Sequence, residues 1–369
     1  TLYINTAPLK GYHVPEKYGE QSRAGVMFVG PLLARFGQAV VPLPGGDKIG
    51  TRPLDRHFAG LKALGAEIKL NGSKVEVRCA KLKGATFTFP KKSHTGTETM
   101  IMAAVLASGE TILKNAAEEP EVDDLIKFLN RMGAHIKRQT NGDVHIKGVA
   151  KLKPSIHKLM PDRNEAVTYA VAALATKGDI IVENAPAQHL EAFLAKVKAI
   201  GGCYEMGTYG VRFYYREPLK ATEVVTQPHP GFMTDWQPLW TVLMTQAEGE
   251  SIVHETVFTS RFQYVADLNR MGANIELFEP EVKDKKDFYH FNLEDDREPH
   301  LHAAKITGPT PFKAGNFLVP DIRAGATQLL AALIAPGKSI LMDEKDHIDR
   351  GYEKLPGRLR QLGAKITES

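Results

Sequence analysis

Apolar and polar positions follow one pattern that returns five times along the chain. Each copy begins with a helix that has a polar first turn, is apolar nearly all round and runs to a glycine; we predict such helices over residues 22–37, 95–109, 162–178, 234–249 and 321–337. A second, amphipathic helix ends at a "GA" or "GG" turn before another strand. The marker glycines of these turns are Gly65, Gly133, Gly201, Gly272 and Gly363. Glycine suits the left-handed conformation at such helix ends.

The repeat predicts architecture rather than chemistry. Helices that are apolar all round should be buried, whereas the second helices carry Lys, Arg and Asp on one face and should lie outside. Strands and helices that alternate at this period argue for an α/β architecture of the α+β type, with internal pseudo-symmetry.

Two segments are longer than the repeat template. PLPGGDKIGTRP, residues 42–53, extends the first repeat, and a loop extended in this way is a candidate functional site. The stretch from Glu279 to His302 extends the last step between marker glycines. We interpret it as a solvated hairpin insertion; a functional role for it is the less favoured alternative.

Composition and charge limit the number of domains, the kinds of partner and the cellular compartment that we expect. The chain has 369 residues, of which 43% are hydrophobic and 24% charged, and this length suits two domains or one large one. Its net charge of +4 argues weakly for a small anionic ligand and against a nucleic-acid surface. Cys79 and Cys203 form no CxxC pair, and neither a membrane-length apolar run nor a signal peptide occurs. We expect a cytoplasmic protein without nucleic-acid or membrane partners.

The first turns of the predicted buried helices hold charged residues. Helix N-termini offer free N–H groups and a positive dipole end, so converging turns would form an anion-binding cleft. Ser93 and Asp321 could instead be simple N-caps. Capping does not explain Arg23 and Arg323, since the dipole disfavours cations in a first turn.

More arginines follow the predicted strands, at Arg52, Arg261 and Arg350. The planar guanidinium suits phosphate and carboxylate groups, so a set in repeat-defined places predicts a polyanionic substrate. Asp47 and Asp235 are carboxylates that occur among the motifs carrying these arginines. A carboxylate among arginines can accept a proton and a desolvated one can donate it, and the sequence leaves these two roles unassigned.

Metal and dinucleotide chemistry find no support in the sequence. His94, His229 and His347 lack ligand spacing, and both the GxGxxG fingerprint and the P-loop motif are absent. We therefore expect no metal site and no cofactor.

Several segments together carry a family resemblance. They are LLARFGQAVVPLPGGDKIGTRPLDRH, NAAEEPEVDDL, MPDRNEAVTY, HPGFMTDWQP, ETVFTSRF, PDIRAGA and HIDRGYE. In this order, from about Arg23 to the C-terminus, they resemble the UDP-N-acetylglucosamine 1-carboxyvinyltransferases, the enolpyruvyl transferases that open peptidoglycan synthesis. The shikimate-pathway enolpyruvyl transferases resemble the chain less, because they lack the PGG loop and the HIDRGYE segment.

The resemblance implies two domains, each an inside-out α/β prism of three βαβαββ units. We expect the first domain over residues 1–160 and the second over 161–369, with five of the six units present. Thr1 begins the chain inside a predicted strand over residues 2–5, which suits a start partway through a longer polypeptide. In the family the remaining unit holds a Lys-Asn pair that contacts the substrates. We expect a monomer; either the chain is truncated or split, or a separate N-terminal segment from another chain supplies the remaining unit.

The resemblance also implies site residues. Asp235 matches the carboxylate that takes the proton of the sugar 3-hydroxyl, and Arg350 matches an arginine for the phosphoenolpyruvate carboxylate. Arg56 stands where the family has an apolar residue, and SHTGT replaces the usual SVGAT. The implied substrate contacts are Arg23, Arg52, Pro53, Leu54, Asp55, Arg56, Lys91, Lys92, Ser93, His94, Asp235, Val257, Arg261, Asp321, Arg323 and Arg350.

The tip of the loop departs from most of the family, which has Cys where this chain has Asp47. A carboxylic acid can protonate the methylene carbon of phosphoenolpyruvate but lacks the soft thiolate nucleophile. We therefore expect resistance to fosfomycin, which alkylates that cysteine. The expected reaction is enolpyruvyl transfer to UDP-N-acetylglucosamine, with Asp47, Asp235, Arg52 and Arg350 as catalytic residues. The alternatives are a non-catalytic or truncated UDP-sugar-binding relative and a shikimate-type transferase.

Overall fold

A computed structural model describes residues 1–45, 49–298 and 300–368, with residues 20 and 21 described by their backbone only. The chain divides into two compact units. Residues 1–45 and 52–159 form the first unit, and residues 49–51 group with 160–368 in the second. The expected domain boundary after residue 160 lies next to this division.

The first unit contains five α-helices, one 3-10 helix and seven strands within the described residues. The helices are α1 (Glu16–Gln21), the 3-10 helix Arg23–Phe28, α2 (Val29–Phe36), α3 (Asp55–Ala63), α4 (His94–Ala104) and α5 (Pro120–Arg131). The strands are β1 (Gln38–Pro42), β2 (Glu67–Asn71), β3 (Lys74–Arg78), β4 (Thr86–Thr88), β5 (Glu110–Lys114), β6 (His135–Arg138) and β7 (Val144–Lys147).

The second unit contains the remaining elements of the described chain. Its helices are α6 (Arg163–Ala175), the 3-10 helix Ala187–His189, α7 (Glu191–Ala199), the 3-10 helix Thr234–Trp236, α8 (Gln237–Met244), α9 (Val265–Arg270), α10 (Lys285–Phe288), the 3-10 helix Leu293–Asp295, α11 (Ile322–Ile334), α12 (His347–Gly351) and α13 (Leu355–Gln361). Its strands are β8 (Asp179–Glu183), β9 (Cys203–Gly207), β10 (Gly210–Tyr214), β11 (Glu223–Val225), β12 (Gly249–His254), β13 (Asn274–Phe278), β14 (Ala303–Gly308), β15 (Asn316–Leu318) and β16 (Ile340–Met342).

The sheets repeat one topology, as the sequence pattern predicted. Two four-stranded sheets have the orders β4-β5-β7-β6 and β11-β12-β14-β13, each with a parallel first pair and antiparallel partners after it. The three-stranded sheets β1-β3-β2 and β8-β10-β9 lack the first strand of this order. In the first of them, a parallel bridge between His13 and Val40 lies in its place. The pair β15-β16 is parallel, like the first pair of the larger sheets.

The central helices α4, α6, α8 and α11 are largely buried, which confirms the prediction from their apolar surfaces, whereas α2 of the first repeat leaves Pro31 and Arg35 exposed. Every residue of α8 is buried, and so is α6 from Ala166 to its end. Around Phe193 of α7, the rings of Phe232, Trp236 and Trp240 pack within 5.4–6.4 Å of one another, mostly edge to face. Such aromatic packing adds to the apolar area that already stabilises the core.

The marker glycines adopt the left-handed conformation that the sequence predicted. Their φ angles are +92° at Gly65, +96° at Gly133, +80° at Gly201, +105° at Gly272 and +102° at Gly363. A side chain at these positions would be strained, so glycine is favoured by the backbone itself.

The glycines after the central helices fit the prediction less well. Gly37 caps α2 directly with a φ of +69°. Helices α4 and α8, however, end before Gly109 and Gly249, which adopt positive φ angles near the start of the next strands. After α6, Lys177 takes the left-handed conformation in the residue before the predicted glycine.

Two sequence-based expectations were wrong. The strand predicted over residues 2–5 does not form, and Tyr3 is 91% exposed with no strand beside it among the described residues. The stretch 279–302 is not a solvated hairpin. It contains α10 and the 3-10 helix Leu293–Asp295, and it packs Tyr289 and Phe291 against His302 with ring centroids 4.7–5.3 Å apart. Its aromatic residues therefore form a small core of their own.

The close approach of α2 and α4 gives a test of the packing in the first unit. A Cβ at Gly30 would lie 2.8 Å from the Ala103 nitrogen and 3.0 Å from the Thr99 carbonyl oxygen. We expect Gly30→Ala to force the helices apart and lower the free energy of unfolding by about 1–3 kcal/mol. Urea unfolding measures this change. Gly11→Ala, where nothing lies within 4 Å, is the control and should change stability by less than about 0.5 kcal/mol; equal stabilities for the two variants would contradict the packing.

Candidate functional site

In the first unit, the N-terminal turn of α4 is fixed by Ser93. Its Oγ accepts a hydrogen bond from the Gly96 N–H at 3.2 Å. A Cβ at Gly96 would lie 2.6 Å from that oxygen, so the TG sequence of this turn suits the cap. Ser93 is thus an N-cap, as one of the two sequence interpretations held, and the remaining N–H groups of the turn stay directed beyond the helix end.

Basic residues gather beside this turn. The Arg56 guanidinium, at the start of α3, donates to the Lys92 carbonyl at 3.3 Å. The Lys92 ammonium pairs with the Glu118 carboxylate just before α5. Lys91 and Lys92 are both half-buried. Three helix starts of the first unit therefore meet at one place.

Two histidines lie at the same place with opposite pKa shifts. Burial lowers the pKa of His57 to about 4, and its Nε2 lies 3.2 Å from the Thr95 Oγ1. Burial also acts to lower the pKa of His94, but the carboxylates of Glu98 and Glu119 outweigh it and raise that pKa. His94 Nε2 lies 3.4 Å from the Glu98 carboxylate. His57 is thus a neutral hydrogen-bonding group, whereas the surroundings of His94 favour its cation.

Arg23 shares this neighbourhood, because its charge acts to lower the pKa of both histidines. Arg23 begins the 3-10 helix before α2 and is exposed. Pro53 and Leu54 lie just before α3, with Leu54 buried, and Asp55 in its first turn is exposed. The arrangement offers cations, helix N-termini and a little apolar surface, which together suit an anionic ligand with an organic part.

In the second unit, Asp235 lies between two guanidinium groups. Its Oδ1 accepts from the Arg261 Nη2 at 2.7 Å, and its Oδ2 accepts from the Arg323 Nη2 at 3.1 Å. The Arg261 side chain is only 2% exposed, whereas that of Asp235 is 30% exposed. The carboxylate is therefore held in a fixed orientation but stays accessible, as a group that exchanges a proton with a ligand must be.

The N-terminus of α11 explains the arginine that the sequence left unexplained. Asp321 caps the helix by accepting from the N–H groups of Arg323 and Ala324 at 2.8 and 2.9 Å. Burial disfavours the Arg323 cation, but Tyr352, Asp235 and Asp162 more than offset this and raise the pKa of Arg323. Nearby carboxylates thus balance a cation that the helix dipole alone would disfavour.

Residues 49–51 of the Gly-rich loop (PLPGGDKIGTRP, residues 42–53) belong to the second unit. The Ser260 N–H donates to the Ile49 carbonyl at 3.3 Å. Gly50 has a φ of +117°, and a Cβ there would lie 2.3 Å from the Thr259 Oγ1. Both the turn and the contact therefore require glycine at this position.

The other predicted site residues lie in different surroundings. Arg52 and Val257 are half-buried, and Arg350 is exposed on α12. Asp47, at the tip of the loop, lies outside the described residues. The predicted contacts of all these residues with substrates stay predictions.

Sequence reasoning did not single out His57 or Glu255, and it placed Arg163 only among the polar first turns of the predicted buried helices. Each lies within a quoted motif, but only burial distinguishes it from its polar neighbours. Arg163 is fully buried, and its Nη1 lies 3.2 Å from the Nδ1 of His229. Glu255 is 1% exposed and bonds to Thr234, the neighbour of Asp235.

Neither a metal-binding cluster nor a membrane-spanning helix is seen in the described parts of the chain. No three His, Cys, Asp or Glu residues are grouped so that they could hold a metal ion. No described helix is long and apolar enough to cross a membrane.

Residues 3–359 match the family profile described as EPSP synthase (3-phosphoshikimate 1-carboxyvinyltransferase). The chain belongs to the EPSP synthase family of enolpyruvyl transferases. It is 42% identical over 353 residues to a UDP-N-acetylglucosamine 1-carboxyvinyltransferase of Sorangium cellulosum, a match that covers 95% of this chain and 78% of that protein. A protein of the same name from Chlamydia abortus is 40% identical over 99% of this chain and 82% of its own length.

Solved structures agree on the fold. The enolpyruvyl transferase NikO from Streptomyces tendae is similar with a TM-score of 0.80 and 21% identity, over 97% of this chain and 80% of that one. The two-domain α/β fold class and the resemblance stated from the motifs are confirmed.

The lowered pKa of His57 gives a pH prediction for this family member. Between pH 6.5 and 4 the unfolded chain protonates this histidine while the folded chain keeps it neutral, so stability falls as pH falls through this window. The loss approaches about 3 kcal/mol at pH 4. We expect His57→Gln to flatten the dependence of the free energy of unfolding on pH there, measured by urea unfolding at several pH values. Exposed His135→Gln is the control; parallel curves for wild type and His57→Gln would contradict the assignment.

Proposed function

We propose that the protein transfers enolpyruvyl from phosphoenolpyruvate to the 3-hydroxyl of UDP-N-acetylglucosamine and releases phosphate, the first committed step of peptidoglycan synthesis. The relatives named UDP-N-acetylglucosamine 1-carboxyvinyltransferase support the choice of reaction. The observation that carries the proposal is the accessible carboxylate of Asp235, which is held by Arg261 and Arg323. The two arginines fix the orientation of this carboxylate, and its exposed part leaves room for a ligand hydroxyl, as a proton acceptor requires.

In the proposed reaction, the sugar 3-oxygen attacks C2 of phosphoenolpyruvate while its proton passes to Asp235. Asp47 donates a proton to the methylene carbon, which gives a tetrahedral intermediate. The carboxylate left at Asp47 then takes a proton back from the new methyl group as phosphate leaves, which restores the double bond, and Asp235 gives its proton to the departing phosphate. Arg52 and Arg350 hold the phosphoenolpyruvate anion and stabilise charge during these steps.

The first unit supplies the proposed nucleotide-sugar subsite. Its cations and helix N-termini suit the diphosphate, and Pro53 and Leu54 supply apolar surface. The residues proposed there are Arg23, Arg52, Pro53, Leu54, Asp55, Arg56, Lys91, Lys92, Ser93 and His94. In the second unit, Val257, Arg261, Asp321 and Arg323 are proposed to complete the contacts around Asp235.

We also propose a cytoplasmic location and a monomeric state, without nucleic-acid or membrane partners. Cys79 and Cys203 form no disulfide, as expected for a reducing compartment. The mild net charge of +4 suits small anionic substrates better than a polyanionic surface.

Replacement of the proposed base tests the reaction. We expect Asp235→Asn to lower phosphate release from the two substrates by about 10²–10⁴-fold, because the amide cannot accept the hydroxyl proton. Asp179→Asn is a matched control, since Asp179 pairs with Arg212 on the sheet of β8 through two hydrogen bonds of 2.8 and 2.6 Å. Full activity of Asp235→Asn would contradict the role of this residue.

The same assay distinguishes the alternative functions. Turnover of shikimate 3-phosphate in place of UDP-N-acetylglucosamine would favour the shikimate-type reaction. Nucleotide-sugar binding by a wild-type chain that shows no turnover would favour a binding protein.

The identity of residue 47 predicts the response to fosfomycin. Wild-type turnover should resist the drug, and intact-mass measurement should find no adduct, because a carboxylate is a weak nucleophile towards the epoxide. Asp47→Cys should gain a covalent adduct and become inhibited. An adduct on Asp47 of the wild-type chain would overturn the prediction.

A further inference from the structure

One buried carboxylate links the two segments that hold the Asp235–Arg261 pair. Glu255 directly follows β12 and is 1% exposed. It lies outside the turn that carries Asp235, and it precedes the 257–261 segment that ends in Arg261. Its bonds nevertheless reach both segments.

The two oxygens of Glu255 have different partners. Oε1 accepts from the N–H groups of Val257 and Phe258 at 2.8 and 3.1 Å, which folds the start of the 257–261 segment back on β12. Oε2 accepts from the Thr234 Oγ1 at 2.9 Å, and Thr234 directly precedes Asp235. A single carboxyl group therefore sets the distance between the Asp235 turn and the segment that ends in Arg261.

Glu255 is itself held from behind by the insertion. The Glu255 N–H donates to the His302 carbonyl at 2.8 Å, and the His290 N–H donates to the Thr256 carbonyl at 2.8 Å. On the other side, the Thr256 N–H donates to the Thr226 Oγ1 at 2.8 Å. The packed insertion, residues 279–302, thus supports the backbone of residues 255 and 256 through these hydrogen bonds.

The charge of Glu255 is not needed for these bonds. Burial raises its pKa, although the nearby Arg261 and the three hydrogen bonds act in the opposite direction. A glutamine has the same shape, and its amide oxygen could accept from Val257 and Phe258. Its NH₂ group could donate to the Thr234 hydroxyl, which can act as donor or acceptor.

We propose that Glu255 is a positioning residue for enolpyruvyl transfer. It acts through Thr234 and the 257–261 segment to hold Asp235 and Arg261 at a fixed distance from each other. The proposal rests on the proposed function for its catalytic consequence. Its structural content, the coupling of the two segments, stands on the hydrogen bonds alone.

Substitutions at both ends of the link separate positioning from charge. Glu255→Ala should lower kcat about 10- to 100-fold, because loss of the link misplaces the proton acceptor. Glu255→Gln should retain most of the wild-type kcat and leave both limbs of its pH profile in place. Thr234→Val should lower kcat as well, whereas Thr234→Ser should rescue it. Thr245→Val is the matched control, since that buried hydroxyl bonds the Val242 carbonyl at 2.7 Å, away from Glu255.

Hydrogen exchange measured by mass spectrometry tests the link without reference to turnover. Glu255→Ala should speed exchange in peptides covering residues 233–237 and 255–261 together, and Glu255→Gln should leave both protected. Unchanged exchange at 257–258 in Glu255→Ala, or a pH profile shifted by Glu255→Gln, would overturn the proposal. A wild-type chain that shows the exchange pattern but releases no phosphate would instead overturn the proposed function, and the coupling would stand.

Discussion

A carboxylate held between two guanidinium groups organises the second unit. Asp235 lies on a short 3-10 turn, Arg261 on a loop after β12, and Arg323 in the first turn of α11, so three distant segments meet at one ion-paired point. Buried guanidinium groups without a carboxylate would lower stability, and a carboxylate alone would lack orientation. Because each charge needs the others, the segments that carry them are fixed relative to one another.

The repeated sheet topology makes this meeting possible. The repeat largely buries the central helices α4, α6, α8 and α11, and polar residues stand at their N-terminal ends. In the first unit, the starts of α3 and α4 gather Arg56, Lys92 and His94, and in the second unit the turn before α8 and the start of α11 gather Asp235 and Arg323. The same packing that stabilises the repeat therefore brings polar helix ends together, and cations at those ends need carboxylates such as Glu98 and Glu118.

The insertion illustrates how a polar-looking stretch can be structural. Its sequence is rich in acidic residues, yet Tyr289, Phe291 and His302 pack together and Glu279 bonds to the His302 ring at 2.7 Å. Backbone bonds from this small core reach residues 255 and 256. A segment outside the repeat template thus supports the loop that carries Arg261.

The repeat, the buried helices, the left-handed glycines and the family could all be predicted from the amino-acid sequence, because periodicity and local backbone preference are properties of neighbouring residues. It also singled out Asp235, Arg261 and Arg323, since their motifs are family-specific. The folded structure was needed to show that Asp321 caps a helix and that His57 and Glu255 are buried. It also decided that residues 279–302 form a packed core, because burial and hydrogen bonding depend on segments far apart in the chain.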